Sequence, residues 1–128
     1  MASLSPTQRT LRALRAQGRI VGSVERWNPH VGSHGIRQDL FGFIDLIALD
    51  PERGIIGIQS CGQAFSQHIN KILDSDCTQA AIEWLRCGGK IEVWGWRKVK
   101  LKRGGKAKVW KPRIREIVWE DFGDARNL

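Results

Sequence analysis

Two apolar runs that flank a five-residue turn signal constrain the fold of this chain most strongly. The first run covers residues 39–49, the second covers residues 55–61, and both are rich in isoleucine. Asp50-Pro-Glu-Arg-Gly54 lies between them, and its proline and glycine favour a reversal of the chain. The pattern predicts two buried strands that pair as a β-hairpin.

A single carboxylate, Asp45, interrupts the first apolar run between Ile44 and Leu46. Burying a lone ionised carboxylate costs several kcal/mol unless the group is paired, protonated or bound to a metal ion. A strand with aspartate at this position therefore requires a partner, a proton or a cation at the carboxylate.

The register of the hairpin places further polar residues beside Asp45. If the turn centres on Glu52, Asp45 faces Gln59 across the hairpin, and another turn type would shift this register by one residue. Because side chains alternate along a strand, Cys61 shares the face of Gln59, and Asp39 shares the face of Asp45. The sequence thus predicts a cluster of Asp45, Gln59 and Cys61, with Asp39 at its rim.

The remaining periodicities predict an α/β fold in which helices flank a mixed central β-sheet. At 128 residues, the chain is expected to form a single domain, residues 1–128. It divides into an N-terminal helix (1–18), a core (19–98) and a segment with a basic β-hairpin and a C-terminal strand (99–128). The other predicted elements are strands at 19–27, 90–98 and 113–122, and helices from Phe65 to about Ser75 and from Thr78 to Gly88.

Positive charge is the second strong feature of the sequence. The formal net charge of +8 and the pI near 10.0 favour an anionic partner, most commonly nucleic acid. Between Lys90 and Arg115, eleven lysines and arginines accompany a single acid. Trp94, Trp96 and Trp110 are interleaved with them. These tryptophans stack on unpaired bases in one interpretation and pack on the faces of the sheet in the other.

The sequence also bears on the location of the protein. It contains no run of the about 18 apolar residues that a membrane span needs, and its first residues lack the charged and apolar regions of a signal peptide. Its three cysteines are an odd number and fit reduced thiols better than a disulfide framework. We therefore expect a cytoplasmic protein with no membrane partner.

An acidic residue in one strand, followed 14 residues later by two positions spaced two apart, resembles the PD-(D/E)XK nuclease signature. The likeness is closest to the small Holliday-junction resolvases and VRR-type nucleases of phages and bacteria. It covers roughly residues 25–96, and its most specific part is Arg37 to Asp45 together with Ile58-Gln59. The resemblance implies a restriction-endonuclease-like αβββαβ core, and a host-cell cytoplasm if the chain is phage-encoded.

The resemblance also implies roles for individual residues. Asp45 matches the carboxylate that binds a divalent cation, which would be Mg²⁺ or Mn²⁺. Gln59 stands at the second acidic position, where its amide oxygen can still bind a hard cation but brings no charge. Cys61 stands where the family has a lysine, and a thiol cannot replace that cation.

Three other residues could compensate for these departures. Lys71, on the predicted helix that follows the hairpin, is the candidate for a lysine that has migrated from the position of Cys61. Glu25, on the preceding strand, could supply the charge that Gln59 lacks. Asp39 could add a further metal ligand.

Three interpretations of function follow. The first is a metal-dependent DNA endonuclease that hydrolyses phosphodiester bonds, with branched or single-stranded DNA as candidate substrates and a homodimer suggested by the resemblance. The second is a catalytically inactive nucleic-acid-binding protein on a decayed nuclease fold. The third is an RNA-binding or ribosome-associated basic domain, which explains the charge but not Asp45. The residues predicted to contact phosphate are Arg37, Lys98, Lys100, Lys102, Arg103, Lys106, Lys108 and Lys111.

Overall fold

The chain folds into helices packed on both faces of a β-sheet, as seen in a computed structural model that describes residues 3–127. Helix α1 begins with a capping box, in which Ser5 and Gln8 satisfy each other's backbone N–H groups, and Pro6 occupies its first turn. The elements in chain order are α1 (Pro6–Ala16), β1 (Ile20–Ser23), β2 (Arg26–Asn28), β3 (Ile36–Gln38), β4 (Leu46–Asp50), β5 (Gly54–Cys61), α2 (Phe65–Leu73), α3 (Thr78–Arg86), β6 (Lys90–Lys100), β7 (Lys108–Ile117) and a 3₁₀ segment (Trp119–Asn127).

Five strands form the central sheet in the order β1-β4-β5-β6-β7. Strands β5 and β6 run parallel, and every other neighbouring pair in this sheet is antiparallel. The parallel pair requires a crossover connection, which α2 and α3 provide. Strands β2 and β3 form a separate two-stranded ribbon. The prediction of an α/β fold with a mixed sheet and flanking helices is therefore confirmed.

The predicted hairpin between β4 and β5 is present in the predicted register. Leu46 pairs with Ile58, and Asp50 pairs with Gly54 at the turn. The backbone N–H of Asp45 donates to the carbonyl of Ile58 over 2.9 Å and so extends this ladder toward Gln59. The Asp50 carboxylate closes the turn, because it accepts hydrogen bonds from the backbone N–H groups of Glu52 and Arg53.

The predicted strand over residues 39–49 is wrong in its first half. Residues 40–44 form a tight turn, in which Ile44 donates its backbone N–H to the Leu40 carbonyl over 3.0 Å. Phe41 and Gly42 adopt positive φ angles of 57° and 84°, which end an extended run because a strand requires negative φ. Asp39 therefore does not lie on the same strand as Asp45.

The first and last predicted strands also differ from the structure. The expected strand over 19–27 splits after Ser23, because β1 pairs with β4 whereas β2 turns away to pair with β3. The expected strand over 113–122 begins earlier, at Lys108, and ends at Ile117. Asp121 accepts a hydrogen bond from the Val118 backbone N–H over 2.8 Å, which favours the 3₁₀ segment over an extended strand.

Two hydrophobic layers hold the sheet. Helices α2 and α3 cover one face, where Ile72, Ile82 and Val93 are fully or almost fully buried. Helix α1 covers the other face, where Trp94 and Trp96 are 3% and 7% exposed. These two tryptophans are core residues and cannot stack on a base without unpacking this layer.

Across residues 3–127, none of the helices has the length and the apolar character that crossing a membrane would require.

Candidate functional site

Asp45 lies at the entrance to β4 and is only 2% exposed. Its Oδ2 atom accepts hydrogen bonds from the Ser60 backbone N–H over 2.9 Å and from the Gln59 amide over 3.2 Å. Its Oδ1 atom is buried and has no hydrogen-bond partner among the described residues. Burial, helped by repulsion from Asp39 and Glu25 and opposed by the two hydrogen bonds, raises the pKa of this carboxyl to about 7. One oxygen is thus held by two hydrogen bonds, and the other is buried and unpaired.

Gln59 connects three of the predicted site residues. Its Nε2 atom donates to Oδ2 of both Asp39 and Asp45 over 3.2 Å. Its Oε1 atom accepts from Nζ of Lys71 over 2.9 Å. Asp45 and Gln59 therefore meet across the hairpin as the register predicts, and Asp39 lies beside them through the tight turn rather than through a continuous strand.

Lys71 reaches this cluster from the last turn of α2. Its Nζ atom also lies 3.9 Å from Oδ2 of Asp39, and its side chain is 35% exposed. Because α2 follows β5 after a short turn and packs on the sheet, its side chains return to the strand end that carries Gln59. The structure thus places the lysine of the following helix at the cluster, and its catalytic role stays a prediction.

Cys61 and Glu25 occupy the surroundings of the cluster. Cys61 is buried, and burial together with the nearby Asp45 carboxylate raises the pKa of its thiol. A neutral thiol cannot supply the positive charge that a lysine would. Glu25 forms an ion pair with Arg37, whose Nη1 atom lies 3.7 Å from the Glu25 Oε1 atom. Arg37 is 74% exposed and remains accessible from solvent.

A buried hydrogen-bond network behind Asp45 was missed by the sequence reasoning. Thr10 of α1 is fully buried, and its Oγ1 atom accepts from the Ser60 hydroxyl and from the Trp96 indole, each over 2.8 Å. The same hydroxyl donates to the Pro6 carbonyl over 3.0 Å. Because Ser60 also holds Asp45, the network ties α1 to the site. The only sequence signal was the spacing of Thr10 one helical turn before Leu14, on the apolar face.

His68 was also missed. It lies one helical turn before Lys71 on α2, and its Nδ1 atom is buried without a hydrogen-bond partner among the described residues. Burial lowers the pKa of this imidazole, and the positive charge of Lys71 lowers it further. The imidazole is therefore neutral at physiological pH.

Within residues 3–127, no group of three or more His, Cys, Asp or Glu side chains is placed to hold a metal ion. A cation at Asp45 would have the carboxylates of Asp45 and Asp39 and the amide oxygen of Gln59. The open Oδ1 atom of Asp45 and this all-oxygen donor set suit Mg²⁺ or Mn²⁺. The Gln59 amide would have to turn over, because its nitrogen and not its oxygen faces the two carboxylates.

The end of β6, the start of β7 and the turn between them form a dense basic ribbon, residues 98–111. The two strands stay paired to Lys100 and Lys108, and a turn containing Gly104-Gly105 joins them, as the sequence predicts. The predicted phosphate contacts of this ribbon are all exposed, and none forms an ion pair with another residue of the described chain. They are Lys98, Lys100, Lys102, Arg103, Lys106, Lys108 and Lys111.

Comparison with protein-family models, with curated proteins and with solved structures finds no match to this chain.

Proposed function

We propose that this protein is a metal-dependent nuclease that hydrolyses phosphodiester bonds in DNA. The observation that carries the proposal is the convergence of a buried, half-satisfied carboxylate and a lysine ammonium on one amide, Gln59. Structural carboxylates are normally satisfied at both oxygens, whereas the Oδ1 atom of Asp45 has no partner among the described residues. An unpaired carboxylate oxygen and an ammonium group that are linked through one amide are groups that a metal ion and a phosphate would use.

The order of the elements supports the same proposal. The chain forms a helix first and then three strands, β1, β4 and β5, that make an antiparallel meander. A helical crossover and a strand parallel to β5 follow. This order agrees with the αβββαβ core that the resemblance to PD-(D/E)XK nucleases implies. In that resemblance Asp45, which lies just before β4, and Gln59, which lies on β5, would stand at the two metal-binding positions.

The proposed mechanism assigns a separate task to each side chain. Asp45, Asp39 and the Gln59 amide oxygen would hold the ion, and Ser60 would keep Asp45 in position through its backbone N–H. A bound Mg²⁺ or Mn²⁺ ion would polarise the phosphate and lower the pKa of an attacking water. Lys71 would stabilise the negative charge that develops on the phosphate. The charge of Glu25 would strengthen the negative field at the site.

A second candidate function is nucleic-acid binding without catalysis. The orientation of Gln59 favours it, because the amide nitrogen between Asp39 and Asp45 takes the place that a cation would occupy. The basic ribbon would bind phosphates in the same way under both functions. Such a protein would show steep salt dependence and no requirement for a metal ion.

Cleavage of labelled duplex, junction and flap DNA with Mg²⁺ or Mn²⁺, compared with EDTA, tests the first proposal. We expect Asp45→Asn to abolish cleavage and Lys71→Met to slow it by about 100-fold. Asp50→Asn is the matched control, since Asp50 is a buried carboxylate at the opposite end of the same strand. If the wild-type protein cuts none of these substrates with either metal, the nuclease proposal fails and the binding function stands.

A further inference from the structure

A concave groove lies on the α1 face of the sheet, between the start of α1, the last residues of β6 and the first residues of β7. It encloses about 410 Å³ and is walled by the core residue Trp96 and by Trp110. Four cations line it, Arg9, Arg97, Lys98 and Lys108, and no carboxylate does. The groove therefore has an apolar wall and a positively charged rim.

Trp110 differs from the buried tryptophans of the sheet because it is 39% exposed. It sits on β7 directly opposite Lys98, whose Nζ atom lies 5.4 Å from the indole centroid. The guanidinium carbon of Arg9 lies 4.0 Å from the same ring, and Nη2 of Arg9 donates to the Ser3 hydroxyl over 2.9 Å. Stacking of this kind holds a guanidinium flat and leaves its remaining N–H groups free to bind an anion.

The groove lies on the opposite face of the sheet from the candidate catalytic site, which faces α2, and the two approach each other at the C-terminal end of β5. Gly62 and Gln63, which line the groove, come directly after the last residue of β5. Gly62 stands three residues beyond Gln59, which corresponds to about 10 Å of extended chain. A short run of nucleotides that passes around the end of β5 can span this distance, so one strand can reach both places.

We propose that this groove binds an unpaired DNA strand leading away from the cleavage site. Its phosphates contact Arg9, Lys98 and Lys108, and one of its bases packs on the part of the Trp110 indole that Arg9 leaves exposed. A duplex offers only its phosphates to such a groove, because its bases are already stacked on one another, whereas an unpaired base gains contact with an exposed indole. The inference rests on the proposed function, because the strand is a substrate only if the protein is a nuclease. The substrate that it names is partly single-stranded DNA.

Fluorescence anisotropy with three labelled DNAs tests the inference. The DNAs are a blunt duplex, the same duplex with an oligo-dT tail, and the oligo-dT alone, all measured in EDTA so that cleavage does not enter. We expect Trp110→Leu to weaken binding of the tailed and single-stranded DNAs by about 10-fold or more and to leave the blunt duplex unchanged. Trp110→Phe, which retains an aromatic ring, should keep most of the affinity. Trp27→Leu is the matched control, since Trp27 is 56% exposed but lies on the β2–β3 ribbon.

Two results would overturn the inference. One is an equal effect of Trp110→Leu on all three DNAs, and the other is no effect on any of them. If Trp110→Leu fails to unfold cooperatively on heating, Arg9→Gln takes its place, because this change sits on the surface of α1 and leaves β7 intact. Arg9→Gln removes a phosphate contact and not a stacking surface, so it must then weaken binding of the tailed and single-stranded DNAs, and an unchanged affinity for them refutes the groove.

The cleavage assay separates this inference from the proposed function. Selective loss of tailed-DNA binding in a protein that never cuts supports the groove and refutes the nuclease. Metal-dependent cutting with no contribution from Trp110 supports the nuclease and refutes the groove.

Discussion

The buried carboxyl of Asp45 should make the stability of this protein depend on pH, and Asp45→Asn should remove that dependence. Burial raises the pKa of this group from 3.8 to about 7 in the folded chain. Between these two values the folded state binds the proton that the unfolded state has released. The contribution of the protonated group is therefore complete below about pH 4 and is lost as pH rises to about 7.

The size of the effect follows from the shift. Each pKa unit corresponds to about 1.4 kcal/mol, so a shift of about three units amounts to about 4 kcal/mol of unfolding free energy. Asparagine stays neutral, and its side-chain oxygen can still accept the Ser60 backbone N–H. Its amide nitrogen would replace the open Oδ1 atom as a buried donor with no partner, at a cost of about 1–3 kcal/mol at every pH.

The two effects have different signatures in denaturant unfolding measured from about pH 4 to about pH 8. We expect Asp45→Asn to be less stable than the wild type at the acid end and more stable at the alkaline end. The difference between the two proteins should change by about 4 kcal/mol across the range. The constant cost of the buried amide cancels from this change.

Asp50→Asn supplies a control of opposite sign. Hydrogen bonds from the Glu52 and Arg53 backbone lower the pKa of Asp50, so its carboxylate stabilises the fold as pH rises. Parallel pH profiles for the wild type and Asp45→Asn would refute the reasoning, because they would mean that Asp45 does not titrate in this range. Added Mg²⁺ at about pH 8 should stabilise the wild type and Asp50→Asn but not Asp45→Asn, by about 2.7 kcal/mol at one hundred times the dissociation constant.

Three further outcomes are expected. Thr10→Val should lower the free energy of unfolding by about 2 kcal/mol or more, because it leaves two buried donors without an acceptor. Arg53→Met should cost about 1–3 kcal/mol, since it removes the cation 2.7 Å from the buried Glu92 carboxylate while Arg53 itself is partly exposed. Replacing both Lys102 and Lys106 with alanine should reduce the salt slope of duplex-DNA binding by about 2, measured by anisotropy against ionic strength.

Each of these outcomes has a matched comparison. Thr10→Ser keeps the hydroxyl and should recover most of the stability, and a valine that costs nothing would refute the network. Glu83→Gln breaks an exposed ion pair and should change stability by less than about 0.5 kcal/mol. An unchanged salt slope would mean that the tip of the ribbon does not contact phosphate.

The β4–β5 hairpin could be predicted from the sequence because its determinants are local. The turn residues between Asp50 and Gly54 and the alternation of side chains fix which residues face each other, so Asp45 and Gln59 meet as expected. The predicted helices after the hairpin were also close to the observed α2 and α3, because each has an apolar stripe and a terminating signal. The positive charge of the turn between β6 and β7 could likewise be predicted from the sequence, because it depends only on the residue types.

Several features of the site depended on packing between distant parts of the chain. The tight turn at Phe41 and Gly42, and not a continuous strand, brings Asp39 to Gln59. Lys71 reaches the same amide only because α2 packs on the sheet in one orientation.

Contacts between distant segments complete the site and the groove. Thr10 and Trp96 lie 86 residues apart in the chain yet share a hydrogen bond. Arg9 of the same helix stacks on Trp110 of β7. The sequence by itself determined the alternation and turns that build the hairpin, together with the sign of the surface charge. Only the tertiary structure decided which polar groups became partners, because side-chain periodicity is a local property whereas the angle and depth at which helices pack on a sheet arise from many contacts at once.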